Sequence, residues 1–165
     1  MKDLNRLLDS ALTMCDEVGI PYGTIKEIKL NNRLSRAWGR CLTSDGRKTF
    51  WIEIQGKFAK DEFSTDKAVI AVIIHEIIHT CEGCWNHGAQ FLAYGKLITD
   101  RFGIKVGATE SPENLTVNPI AWNASKKYEV KCKCRSIYED RMCDIIKYPR
   151  IYTCSYCHGN FERVR

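Results

Sequence analysis

The chain has 165 residues, with 25 Lys and Arg against 20 Asp and Glu, nine cysteines and four histidines. That length suits one compact domain with an appendage or two small units, and the apolar content and four Trp exclude wholesale disorder. Residues 1–125 balance fifteen basic against fifteen acidic side chains, so the whole surplus of five positive charges falls in the last 40 residues, beside five of the nine cysteines.

Near the amino terminus Asp3, Asp9, Asp16 and Glu17 interrupt every candidate apolar core of a signal peptide. No run of about 18 apolar residues is present, so no membrane association is expected. The expected setting is cytoplasmic and reducing, where clustered cysteines read as metal ligands rather than disulfides. On that reading the glycosylation patterns at Asn114 and Asn123 are accidental.

Leu4, Leu7, Leu8, Ala11, Leu12 and Cys15 form a helical stripe that Gly19 and Pro21 end. Ile25–Leu30 reads as a strand. Arg36–Thr43 and Arg47–Ile54 flank Ser44-Asp45-Gly46 as a hairpin, with Phe50, Ile52 and Ile54 on one face. Ser64-Thr65-Asp66 caps an apolar helix over Lys67–Thr80, stopped near Gly83. A second helix is predicted from Asn86 or His87, with Phe91, Tyr94, Ile98 and Phe102 inward and Gly103 beyond its end. The Gly, Pro and Asn of residues 105–125 suggest a connector.

The apolar helix carries His75-Glu76-Ile77-Ile78-His79. Residues i and i+4 project from one helix face, so the two imidazoles can hold one ion, while Glu76 points about 100° away. That suits a carboxylate beside the metal, able to take a proton from water. With Val, Ile and Ala all round, unpaired polar groups here would cost roughly 2–7 kcal/mol each. A third ligand is required. His87 is the best candidate, because Gly83 permits the chain to turn back; Glu82, Cys81 and Cys84 are nearer in sequence. Cys81 and Cys84 also read as small packing residues, or with His87 as a redox pair or zinc cluster.

In the basic tail, Cys132-Lys133-Cys134 and Cys154-Ser155-Tyr156-Cys157 are paired thiols about 20 residues apart, suited to a tetrahedral Cys₄ structural zinc site. A short tail with little core needs such a staple. Cys143 and His158 are left over. Lys126, Lys127, Lys131, Lys133, Arg135, Arg141, Lys147 and Arg150 alternate with tyrosines, a pattern that can contact phosphates and stack on bases without reading sequence.

These residues resemble the SprT-like family of zinc metallopeptidases, which includes the Spartan proteases of DNA–protein crosslink repair. The likeness is carried by His75-Glu76-Ile77-Ile78-His79, by His87-Gly88-Ala89-Gln90-Phe91, and by Asn32-Arg33-Leu34, Ala37-Trp38-Gly39-Arg40 and Ile52-Glu53-Ile54 upstream. The tail cysteines match the family's zinc ribbon, with Arg135 where Gly is common. The resemblance implies His87 as third ligand to a catalytic zinc and substrate along an edge strand. It also implies an α+β fold: a minimal zincin-like domain over 1–104 with a small antiparallel sheet, a connector over 105–125 and a β zinc ribbon over 126–165. The expected protein is a monomeric zinc endopeptidase with Glu76 as general base and acid, cleaving protein or peptide. Its basic tail would dock on DNA, single-stranded or nonspecific, or on DNA-bound protein, which makes nucleoid association the corollary. The rival is a non-proteolytic zinc-ribbon adaptor or regulator.

Overall fold

A computed structural model describes residues 2–109 and 115–165; Asn114, the acceptor of one glycosylation pattern, lies outside them. The chain forms two compact units, Met1–Asn118 and Pro119–Arg165. It is mixed α+β, with two small three-stranded sheets. No helix among the described residues is long and apolar enough to cross a membrane.

In the first unit α1 (Leu4–Glu17) begins at Asp3, whose carboxylate accepts from the N–H groups of Asn5 and Arg6. Leu4, Leu7, Ala11 and Cys15 are its buried face. Strands β1 (Thr24–Asn31), β2 (Gly39–Leu42) and β3 (Thr49–Gln55) form a sheet in the order β1-β3-β2. β2 and β3 are the expected antiparallel pair, Cys41 opposite Ile52. The sheet as a whole is mixed rather than antiparallel, because β1 pairs parallel to β3. Residues 32–38 carry the chain past β3 to its other edge, and β2 is left as an edge strand.

The connection between β2 and β3 is longer than the expected tight turn, and Arg47 belongs to it rather than to β3. The Asp45 carboxylate organises it, accepting from the N–H groups of Lys48 and Thr49 and from the Thr49 hydroxyl. These bonds hold the Asp45 carboxyl at a pKa of about 2. Gly46 and Arg47 both take left-handed φ, 68° and 70°.

Helix α2 (Asp66–Ile78) is capped by the Thr65 hydroxyl, which accepts from the Ala68 N–H at 3.1 Å. Its start is tied to α1 by Asp66, which pairs with Lys2 and Arg6. Packed against α1, α3 and the sheet, it is buried on nearly every side. Each fully buried isoleucine, such as Ile73 or Ile77, contributes about 1.5–3 kcal/mol of transfer free energy.

Helix α3 (Ala89–Phe102) starts later than predicted. Asn86 Oδ1 accepts from the Gly88 N–H and Gly88 is extended, so His87 stays in the preceding turn. The inner face is Phe91, Gly95 and Ile98, with Tyr94 and Phe102 only half-buried. A Cβ at Gly95 would lie 2.4 Å from the Val106 carbonyl oxygen. Gly95→Ala therefore sets a helix-propensity gain of about 1 kcal/mol against overpacking of roughly 1–3 kcal/mol. We expect net destabilisation, read as a lower urea midpoint at unchanged slope. An unchanged or higher midpoint would mean that the strand of chain at Val106 yields.

In the second unit the expected connector contains α4 (Pro119–Ala124), whose Trp122 is buried. β4 (Tyr128–Lys131) pairs antiparallel with β5 (Ser136–Glu139) and with β6 (Glu162–Arg163). α5 (Asp144–Lys147) and a 3₁₀ turn at Pro149–Ile151 complete it. The core is small: Val130, Ile146, Cys154 and Phe161, with half-buried neighbours around them.

Candidate metal centres

The last turn of α2 brings His75 and His79 onto one face, and His79 closes the helix. Gly83, at φ 75°, then reverses the chain and returns His87. The three Nε2 atoms converge: His75 lies 3.2 Å from His79 and 3.1 Å from His87. Ligand nitrogens on a tetrahedral ion at 2.0–2.1 Å stand about 3.3–3.4 Å apart, so the spacing fits a single ion. Two main-chain carbonyls fix the ligating face. His75 Nδ1 donates to the Gly107 oxygen at 3.0 Å and His79 Nδ1 to the Cys84 oxygen at 2.8 Å. A carbonyl can only accept, so the proton sits on Nδ1 and the Nε2 lone pair faces inward.

Phe91 is fully buried and packs against all three rings, centroid to centroid 4.8–4.9 Å. Burial, then the neighbouring His79, draws the pKa of His75 down to about 4, which keeps the imidazole neutral as a ligand must be. His87 is exposed and leaves the centre open on its own side.

Glu76 is 6 % exposed. Burial pushes its pKa up to about 8, opposed by a hydrogen bond from the Cys41 N–H. A cation held by the imidazoles would favour the carboxylate again. The room for it comes from β2: a Cβ at Gly39 would fall 2.7 Å from Glu76 Oε1. Gly39 is thus a site residue to which the sequence reading assigned no role, although a glycine inside a strand signals close approach. Cys81 and Cys84 are buried and outside the three-imidazole cluster; Cys84 contributes its carbonyl instead of its thiol. Burial raises the Cys81 pKa to about 11, which favours the protonated thiol over the thiolate. Glu82 is exposed and does not join the cluster.

The three histidines and Glu76 line a cleft of about 530 Å³. β2 supplies one wall, Trp85 and residues 105–109 others. Among the described residues its charged lining is Arg36, Arg40, Arg47 and Lys105 with Glu76.

In the second unit Cys132, Cys134, Cys154 and Cys157 converge, with Sγ separations of 3.6–3.7 Å along three sides of the cluster. Four thiolates on a tetrahedral ion at about 2.3 Å stand about 3.8 Å apart, so this set also fits one ion. Each pair sits in a tight turn: the Cys132 N–H donates to the Arg135 carbonyl, and the Cys154 N–H to that of Gly159. Backbone N–H groups of Cys157 and Tyr156 lower the pKa of Cys154, and that of Gly159 lowers Cys157. Thiolate is the ligating form. Cys143 precedes α5 and packs on the core, and His158 is a left-handed turn residue at φ 54°. Arg135 tolerates its place by supplying the turn carbonyl and laying its guanidinium over Tyr156.

Part of the basic charge is spent locally. Lys126 pairs with Asp140 at 2.7 Å and lies over Trp122, while Arg163 covers Tyr128 and Arg165 pairs with Glu129. Tyr148, Ile151 and Tyr156 remain exposed beside Arg135, Lys147 and Arg150.

The class defined by fold and sites is a two-unit α+β protein with a three-histidine and a four-cysteine cluster, each able to hold a metal ion. No protein-family model matches the chain, and comparison with curated proteins gives no match.

Proposed function

We propose that the chain is a zinc-dependent metalloendopeptidase of SprT-like type, a zincin-like domain followed by a zinc ribbon, acting on DNA-associated proteins. One observation carries the reading: three imidazole Nε2 atoms converge beside a single buried carboxylate in an accessible cleft. A purely structural site has no use for that carboxylate.

His75, His79 and His87 hold the catalytic ion and the four cysteines a structural one. Zinc bound at the histidines supplies a Lewis acid for the scissile carbonyl and draws the pKa of water towards ~7. Glu76 accepts the proton of the attacking water and returns it to the departing amine. The outer edge of β2 lines the cleft, and an extended substrate adds to it by main-chain hydrogen bonds, as peptides add to other sheet edges. Gly39 keeps a side chain out of the space between that strand and Glu76. In the second unit, exposed tyrosines among Lys and Arg offer stacking and phosphate contacts to single-stranded DNA.

The test is elemental analysis of the purified chain together with cleavage of a DNA-bound protein, with and without single-stranded DNA. Two zinc ions per chain and chelator-sensitive cleavage are expected; one ion or none defeats the proposal. Two ions, salt-sensitive DNA binding and no cleavage in any condition would identify an adaptor instead.

A further inference from the structure

Arg47 is held unusually for a residue in a loop. Its left-handed φ of 70° is one that glycine adopts freely and arginine does not. From there its side chain passes by Phe50 and lies on Trp85, the guanidinium carbon 3.2 Å from the ring centroid. One Nη donates to the His79 carbonyl at 3.0 Å, linking Arg47 to the main chain of a ligand. That bond uses one of five N–H donors. Arg40, in the same cleft, is committed to Glu53 at 2.6 Å, whereas Arg47 makes no ion pair among the described residues. Trp85 itself is 59 % exposed, so the stacked pair faces solvent.

We propose that Arg47 is a specificity-determining residue: laid flat on Trp85 in the three-histidine cleft, its guanidinium receives a carboxylate of the substrate. The inference rests on the peptidase reading and names the substrate class it implies. A planar fork matches a carboxylate with two parallel hydrogen bonds, and stacking holds the fork in place before the ligand arrives. Among the described lining residues Glu76 is the one carboxylate, and Arg47 keeps guanidinium donors that no acid of those residues takes up, which favours an anion there. The carboxylate comes from an Asp or Glu side chain or from the carboxyl terminus of a peptide. Both present the same group, and the test separates them.

The zinc-loaded Glu76→Gln chain would be titrated with short labelled peptides, read by fluorescence anisotropy. One peptide is neutral and capped, one carries an internal Glu and is capped, and one is neutral with a free carboxyl terminus. At least one carboxylate-bearing peptide is expected to bind about 10–100-fold more tightly than the neutral one. Adding Arg47→Gln removes that preference, and Arg47→Lys retains only part of it. Trp85→Ala keeps the arginine in the sequence but removes the ring that orients it, and should weaken the preference severalfold; it decides the matter if Arg47→Gln fails to fold. Equal binding of all three peptides overturns the proposal, as does a preference that survives both Arg47→Gln and Trp85→Ala. Loss of single-stranded oligonucleotide binding in Arg47→Gln, with acidic peptides unaffected, also overturns it in favour of a phosphate site. Cleavage of a peptide mixture by the wild-type chain reports separately. Peptides cut with no acidic preference end this proposal and leave the peptidase standing; Arg47-dependent binding without cleavage does the reverse.

Discussion

Glu76→Gln is expected to leave both metal centres loaded and to slow peptide hydrolysis by roughly 10²–10⁴-fold, the span general acid–base groups typically contribute. Glutamine keeps the shape and can still accept from the Cys41 N–H, but it cannot take up a proton and pass it on. Stability should hold. Burial already pushes the metal-free carboxyl towards its neutral form, so an uncharged replacement adds no charge-desolvation penalty. Metal content by elemental analysis, the thermal midpoint and cleavage of a DNA-bound protein are the three readouts. Cleavage at the parental rate would remove Glu76 from the mechanism, and loss of the ion along with activity would make it a scaffold for the histidines. His75→Ala supplies the contrast: it should lose both, because that imidazole lies within 3.2 Å of each of the other two ligands.

Cys154→Ser should drop the chain from two bound ions to one and unfold its carboxy-terminal unit. Cys154 is fully buried and belongs both to the sulfur cluster and to the small apolar core with Val130, Ile146 and Phe161. Structural zinc contributes ~10–16 kcal/mol in small domains, against roughly 6–12 kcal/mol of transfer free energy from four buried side chains, which the ordering entropy of the unit already offsets. Limited proteolysis of the full chain should therefore cut within residues 119–165 while Met1–Asn118 survives. A variant that keeps two ions and resists protease as the parent does would sink the assignment. Chelation of the parent protein should reproduce the proteolytic pattern.

What could be read from the sequence follows from how local each determinant is. His75 and His79 are one helical turn apart on a run capped by Thr65, so both ligands and their helix follow from spacing. The antiparallel β2–β3 pair follows from alternation around one turn. The parallel pairing of β1 with β3 does not, because it joins segments that a crossover separates. The short helix at Pro119–Ala124 is hidden for another reason: six residues are too few to display a period, and their Pro and Asn resemble connector chemistry. In the site, the roles of Gly39 and Arg47 depend on what approaches them in space. Neither the contact of Gly39 with Glu76 nor the stacking of Arg47 on Trp85 leaves a periodic trace.

The carbonyls of Gly107 and Cys84 that orient His75 and His79 belong to the main chain. In many metal sites an Asp or Glu side chain fills that role and is lost by a single substitution. Here the acceptor persists whatever residue occupies position 84 or 107, provided the loop keeps its path. Mutational drift can therefore alter the side chains behind these two ligands without disturbing their tautomers. His87 is different: among the described residues no main-chain acceptor meets its other ring nitrogen, and its position is exposed. Evolutionary tolerance around the centre should be unequal, broad behind the helix-borne pair and narrow in the turn that delivers the third imidazole.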